Sequence, residues 1–96
     1  MSGTLSSDGL DARRRRLLFR SWHRGIREMD LILGRFADRH LVHLSDAELQ
    51  EYERLIEVPD PMLYAWISGE AAAPAEFDST LLRRLKSFHL DAGDTR

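Results

Sequence analysis

The sequence predicts an all-α protein, a compact bundle of five short helices, on three observations. Apolar residues recur at three- and four-residue spacing in five separate segments. No segment alternates with the two-residue period of a strand, and glycines, prolines and capping residues fall between the periodic stretches. A chain of 96 residues, 43% hydrophobic and 31% charged, can build one modest core but no deep substrate cavity with a lid. A single helical domain over residues 11–90 is therefore expected, with a disordered arm at 1–10 and a disordered tail at 91–96.

Each element follows from its own signals. MSGTLSSDG is polar and aperiodic, which predicts the arm. Asp11 is a good N-cap, and RRRRLLFRSWHR places Leu18 and Trp22 on one helical face; Gly25 ends this helix, because glycine takes the left-handed conformation at little cost. A second helix starts almost at once and reaches about His40. Its stripe is Ile26, Met29, Leu33 and Phe36, widened by Ile32, with Glu28 and Asp30 in the first turn, where the helix dipole favours anions. LVHL is a short connector. Ser45 and Glu48 form a capping box, in which each side chain satisfies the other's orphan backbone N–H, and Leu49, Tyr52 and Ile56 carry the third helix onward. VPDP stops it, since proline cannot continue a helix, and leaves Asp60 to cap a fourth with Pro61 at its first position. That short helix, PMLYAWIS, turns Leu63, Trp66 and Ile67 inward and ends at Gly69. EAAAPAEF reads as a loop, and the last helix, from about Asp78 to His89, aligns Phe77, Leu81, Leu85 and Phe88 before DAGDTR frays.

Composition removes several function classes. Without cysteine there is no disulfide framework, thiolate metal site or thiol nucleophile. No apolar run approaches the ~18 residues of a membrane span, the N-terminal stretch lacks the apolar segment of a secretory signal, and Asp8 and Asp11 sit badly with a transit peptide; a cytoplasmic location away from membranes is expected. Histidines 23, 40, 43 and 89 are the only proton shuttles near neutral pH, and no serine sits in a nucleophile-elbow context. His40 and His43, three residues apart, fall short of the three or four ligands a zinc site needs. Neither GxGxxG nor GxxxxGK[ST] occurs, so a self-sufficient nucleotide or flavin pocket is not expected. An enzyme is not the expected class, and no catalytic or metal-binding residue is assigned.

A net charge of −2 argues against a nucleic-acid footprint over the whole surface, leaving only a local basic function. The run Arg13 to Arg16 supports one alternative, a small helical nucleic-acid-binding or regulatory adaptor. Four consecutive helical residues point all around the helix, however, and a solvated helix start accounts for them more simply. Trp22, Tyr52, Tyr64 and Trp66, at helical spacing among aliphatic neighbours, read as core in preference to a stacking platform.

HRGIREMD, residues 23 to 30, is too polar for core and too ordered in pattern for a linker. If Gly25 is a hinge between helices, Arg24, Arg27 and Glu28 cluster on a rigid corner. Arginine then offers a planar five-donor fork, glycine lets a partner backbone approach, and Glu28 adds an acceptor. The same residues also suit a C-capping glycine with a local Arg24 to Glu28 pair. Residue chemistry alone leaves both readings open.

RGxxE, present as Arg24, Gly25 and Glu28 and followed by Asp30 and an apolar helix, resembles the signature of the succinate dehydrogenase flavinylation and assembly factor family (SdhE, also called YgfY). The likeness continues through GRFADRHLVHLSDAELQEYERLIEVPDPMLYAWISG and covers residues 14 to 88. RGxxE is short, but in register with SDAE and PDPxLYAW it is specific. The resemblance implies a five-helix fold and a bacterial cytoplasmic or mitochondrial matrix setting. Its implied partner is the flavoprotein subunit of succinate dehydrogenase, with that of fumarate reductase as a second. Factors of this kind promote covalent attachment of FAD to a histidine of that subunit, as chaperones that hold no FAD stably themselves. Carried over by position, Arg24, Gly25 and Glu28 contact the flavoprotein near its FAD site, with Arg27 and Asp30 at the rim. A monomer when free is expected. Two residues depart from the pattern: Met29 replaces a commoner leucine, and Met62 stands where relatives often carry an acid or amide, which removes a charged contact at that turn.

Overall fold

The computed structural model describes residues 10–94, and the side chains of residues 10–91. Five α-helices follow in order: α1, Ala12–Trp22; α2, Arg27–His40; α3, Asp46–Ile56; α4, Asp60–Ser68; and α5, Thr80–Asp94, with single 3-10 turns at Leu41–His43 and Ala75–Phe77. Among the described residues there is no strand, as the periodicity predicts. The arm expected at 1–10 lies outside the described residues except for Leu10, which is buried. Packing divides the chain into two units, one ending at Leu49 and the other starting at Gln50.

In the first unit α1 packs on α2 and on the 3-10 turn that follows it. Asp11 caps α1 as its sequence position predicts: Arg14 donates its backbone N–H to Oδ1 at 2.9 Å and its guanidinium to Oδ2 at 3.0 Å. The backbone donation, with the guanidinium beside it, holds the Asp11 carboxyl below its ordinary 3.8. Arg14 then reaches on, donating Nε to the Leu41 carbonyl at 3.0 Å and Nη2 to that of Leu44. These carbonyls lie in and just after the 3-10 turn that follows α2, and that of Leu41 also accepts the Leu44 N–H at 3.3 Å, so one arginine ties the start of α1 to this connector. Met29, Ile32, Leu33 and Phe36 form the buried stripe of α2. Ile26 does not join it. At 49% exposed it occupies the N-cap position in extended conformation, φ −122° and ψ 127°, outside the helical period that would turn it inward.

What fixes α1 against α2 is Trp22, a half-buried side chain of the first helix lying over Gly34 of the second. A Cβ on Gly34 would sit 2.3–2.6 Å from the Trp22 ring atoms, closer than carbon atoms can approach. The indole Nε1–H donates to Asp38 Oδ1 at 3.1 Å, one helical turn further along α2, and Asp38 is only 9% exposed. A mid-helix glycine costs about 1 kcal/mol relative to alanine, and here it is what admits the ring.

Ser45 and Glu48 form the reciprocal capping box, Ser45 N–H to Glu48 Oε1 at 2.9 Å and Glu48 N–H to Ser45 Oγ at 3.2 Å. In the second unit α4 packs on α5. Leu63, Trp66, Ile67, Leu81, Leu82 and Leu85 are buried, while Phe77 and Phe88, placed on the stripe by spacing, are half-exposed. Three boundaries differ from expectation. Pro59, not Asp60, is the N-cap of α4, since its carbonyl accepts from Leu63 N–H at 2.9 Å. EAAAPAEF is not all loop, because Ala75–Phe77 makes a 3-10 turn; Arg54 anchors it, donating to the Glu76 carbonyl at 3.3 Å and stacking over Phe77. α5 continues past His89 to Asp94. Gly69 ends α4 at φ +90°, as expected of a C-terminal glycine.

Gly34→Ala is expected to destabilise the protein by about 1–3 kcal/mol through overpacking against Trp22, despite alanine's helix preference. In a Trp22→Ala background the same change is expected to stabilise by about 1 kcal/mol. Urea melts of the four proteins measure this, and one sign in both backgrounds contradicts the packing.

Candidate functional site

His23, Arg24, Gly25 and Ile26 make the whole turn between α1 and α2. The first helix stops at Trp22, short of the Arg24 its sequence suggests, because His23 leaves helical geometry at φ −130° and ψ 55°. Its backbone N–H closes back on the Arg20 carbonyl at 3.3 Å. Its Nδ1 lies 2.7 Å from the Phe19 carbonyl, and its ring stacks on Phe19 with centroids 3.9 Å apart. Gly25 then takes φ +103°, a conformation other residues enter only with strain. Nothing lies within 4 Å of where its Cβ would be, so backbone conformation, not crowding, requires glycine here.

Asp30 closes the turn. Its Oδ1 accepts the Arg24 backbone N–H at 2.5 Å, a charge-assisted bond, while its own N–H donates to the Ile26 carbonyl at 2.9 Å as α2 begins. The residue therefore lies half-buried with one oxygen engaged inside the corner. Gly25, Arg27 and Glu28 are exposed on the outside of the turn, and Arg24 is half-buried beside them. The five residues singled out from the sequence thus share one short turn and its adjoining helical start. Three features escaped sequence reasoning: the Asp30 closure, the Trp22 and Gly34 contact behind the corner, and the exposure of Ile26. A glycine inside an otherwise apolar helical pattern was the available signal for the second, since such a glycine usually has a packing reason.

The arginine run is divided by the fold. Arg14 is engaged with Asp11 and two carbonyls, and Arg15 donates to the Leu10 carbonyl at 2.6 Å, so the run does not present four equivalent cations. The histidines are dispersed, His23 stacked on Phe19, His40 tilted on Phe36 at 4.8 Å and His89 edge-on to Tyr64 at 6.4 Å. Among the described residues no group of three or more His, Asp or Glu is placed to hold a metal ion, and no helix is long and apolar enough to cross a membrane. Tyr52 and Trp66 are buried, as their spacing predicts, while Trp22 and Tyr64 are half-buried.

Fold and site together define a small all-helical protein with a braced, mixed-charge corner between its first two helices. The chain is a member of the Sdh5 family, described as the flavinator of succinate dehydrogenase, which matches residues 15–89. It is similar to the FAD assembly factor SdhE of Acetobacter pasteurianus, 40% identical over 81 residues, covering 84% of this chain and 74% of that protein. It is also similar to mitochondrial succinate dehydrogenase assembly factor 2 of Dictyostelium discoideum, 39% identical over 70 residues, 73% of this chain and 50% of the relative. The Danio rerio factor of the same name is 33% identical over 85 residues, 86% and 54%. The chain spans about half the length of these two mitochondrial relatives.

Asp30→Ala is expected to raise the exchange rate of the Arg24 amide proton about tenfold or more and to lower stability by about 1–2 kcal/mol. Asp30→Asn keeps an acceptor and restores part of both. An Arg24 amide equally protected in wild type and Asp30→Ala contradicts the closure.

Proposed function

We propose that this chain is an assembly factor that binds the flavoprotein subunit of succinate dehydrogenase and promotes covalent attachment of FAD to it, through the corner of Arg24, Gly25, Arg27, Glu28 and Asp30. One observation carries the reading. The residues that match RGxxE, Arg24, Gly25 and Glu28, come together on a turn whose backbone is held from behind by Asp30, with Gly25 and Glu28 exposed, an arrangement that suits recognition. The names of the family and of its relatives, which speak of succinate dehydrogenase and of FAD assembly, support this choice of partner.

In this reading the chain contributes binding energy and no bond chemistry. It binds more tightly to a flavoprotein conformation in which FAD and its acceptor histidine are aligned. Mass action enriches that conformation, and the partner's own groups complete the bond. The corner suits this because its shape is fixed before binding, so little conformational entropy is lost on docking. The chain holds no FAD stably, is a monomer when free, and works in the cytoplasm in keeping with the bacterial relative. The same surface serves the flavoprotein of fumarate reductase where that enzyme is present.

Capture of the flavoprotein subunit from native lysate, followed by covalent flavin fluorescence of the captured subunit, tests the proposal. Glu28→Ala is expected to weaken capture about tenfold with helicity retained; Glu28 is exposed, and loss of its charge from the first turn of α2 costs about 1 kcal/mol or less. Gly25→Arg is expected to abolish capture while keeping helical circular dichroism. Its melting temperature falls by several degrees, because an L-residue at φ +103° costs roughly 1–2 kcal/mol. Gly25→Asn, less strained at positive φ, separates that strain from blocked docking. A folded Gly25→Arg protein that still restores flavinylation sinks the reading.

A further inference from the structure

We infer that the outer face of α1, built from Arg16, Phe19 and Arg20 and closed by His23 just past its end, is a second docking surface, continuous with the corner, that takes an acidic segment of the same flavoprotein subunit with an apolar side chain at its centre. The inference rests on the proposed function above and extends its interface.

Phe19 is 62% exposed. Helical geometry surrounds it with Ala12, Arg15, Arg16 and His23 at three-, four- and seven-residue spacing, and Ala12, Arg15, Arg16, Phe19 and Arg20 line one shallow apolar groove. An isolated exposed aromatic needs no explanation. This one differs in three ways. Its ring is already ordered, stacked on His23, whose Nδ1 is itself held at the Phe19 carbonyl; the rotamer freedom that binding would remove is therefore lost before the partner arrives. Its rim is cationic, since the exposed side chains of Arg15, Arg16 and Arg20 line it. And the face leads directly into the corner, with His23 bordering Arg24 and with Ile26, another exposed apolar side chain, just beyond Gly25.

An aromatic anchor ringed by arginines is the composition of an interface centre, where a few such residues carry most of the binding energy. Charge complementarity names the occupant: carboxylates for the guanidinium forks, and an aliphatic or aromatic side chain for the groove. A nucleic acid would meet the same cations, but one face of Phe19 is already covered by His23 and the chain as a whole carries a charge of −2. Continuity with the corner favours a polypeptide already docked there.

The test measures affinity of the full chain for purified succinate dehydrogenase flavoprotein subunit by titration calorimetry at two salt concentrations. Phe19→Ser is expected to weaken binding about tenfold at either salt concentration, and Phe19→Leu much less. Arg16→Glu with Arg20→Glu is expected to weaken it at least as much and to flatten the salt dependence. Both sites are at the surface, and circular dichroism verifies folding. Wild-type affinity in Phe19→Ser and in the double reversal, with Glu28→Ala still weakened, overturns this inference and leaves the proposed function standing. Failure of the wild-type chain to bind the subunit overturns both. If these variants change retention on DNA or on anionic vesicles and not affinity for the subunit, the surface serves another class of partner and the inference falls.

Discussion

The Trp22 indole resting on the bare Cα of Gly34 is the contact on which the first unit depends. A glycine in the middle of α2 weakens that helix, and a large aromatic at the last position of α1 would gain nothing from solvent. Together the two features remove each other's cost: the missing side chain leaves room for the ring, and the ring covers the backbone that glycine exposes. The Nε1–H to Asp38 bond adds direction, since it sets which edge of the indole faces α2. With Trp22 held at the last position of α1, the turn from His23 to Ile26 has little freedom left. Gly25 at positive φ and Asp30 at the Arg24 amide complete a bend whose ends are already placed.

The same economy governs the charged residues. Arg14, Asp30 and Asp38 are engaged with backbone or indole groups inside the fold, and among the described residues no buried side-chain nitrogen or oxygen lacks a hydrogen-bond partner. Polar groups left buried without partners would weaken a protein this small by a large share of its stability. Their internal engagement also sharpens the surface. Arg27 and Glu28 stand outward on a braced turn, and Arg16 and Phe19 on an adjoining helical face. What a partner can meet is thus defined as much by the ions drawn inward as by those left outside.

Much of this was legible in the sequence, for local reasons. Asp11, the Ser45 and Glu48 box and Gly69 act within one helical turn of their own positions, and their signals are chemical identities at fixed spacing. The apolar stripes of α2 to α5 follow from period alone. RGxxE stood out as a turn because a glycine flanked by ions interrupts that period, and as a candidate site only through its resemblance to the family signature. What could not be read depends on residues distant in sequence. Arg14 reaches carbonyls 27 and 30 positions away, and Trp22 finds Gly34 only after two helices have packed. Ile26 was misplaced because it sits where the helical period has not yet begun, and α5 ran longer than expected because DAG carries no proline to stop it.

If the proposed function holds, packing behind the corner, and not its ions alone, gives RGxxE the shape in which it binds. Trp22→Leu tests this most directly, since it alters none of Arg24, Gly25, Arg27, Glu28 or Asp30. Its affinity for the succinate dehydrogenase flavoprotein subunit, measured below its melting transition, is predicted to fall about tenfold, with helical content retained and the Arg24 amide less protected from exchange. Wild-type affinity together with a deprotected Arg24 amide would contradict it, showing that the partner itself can shape the turn.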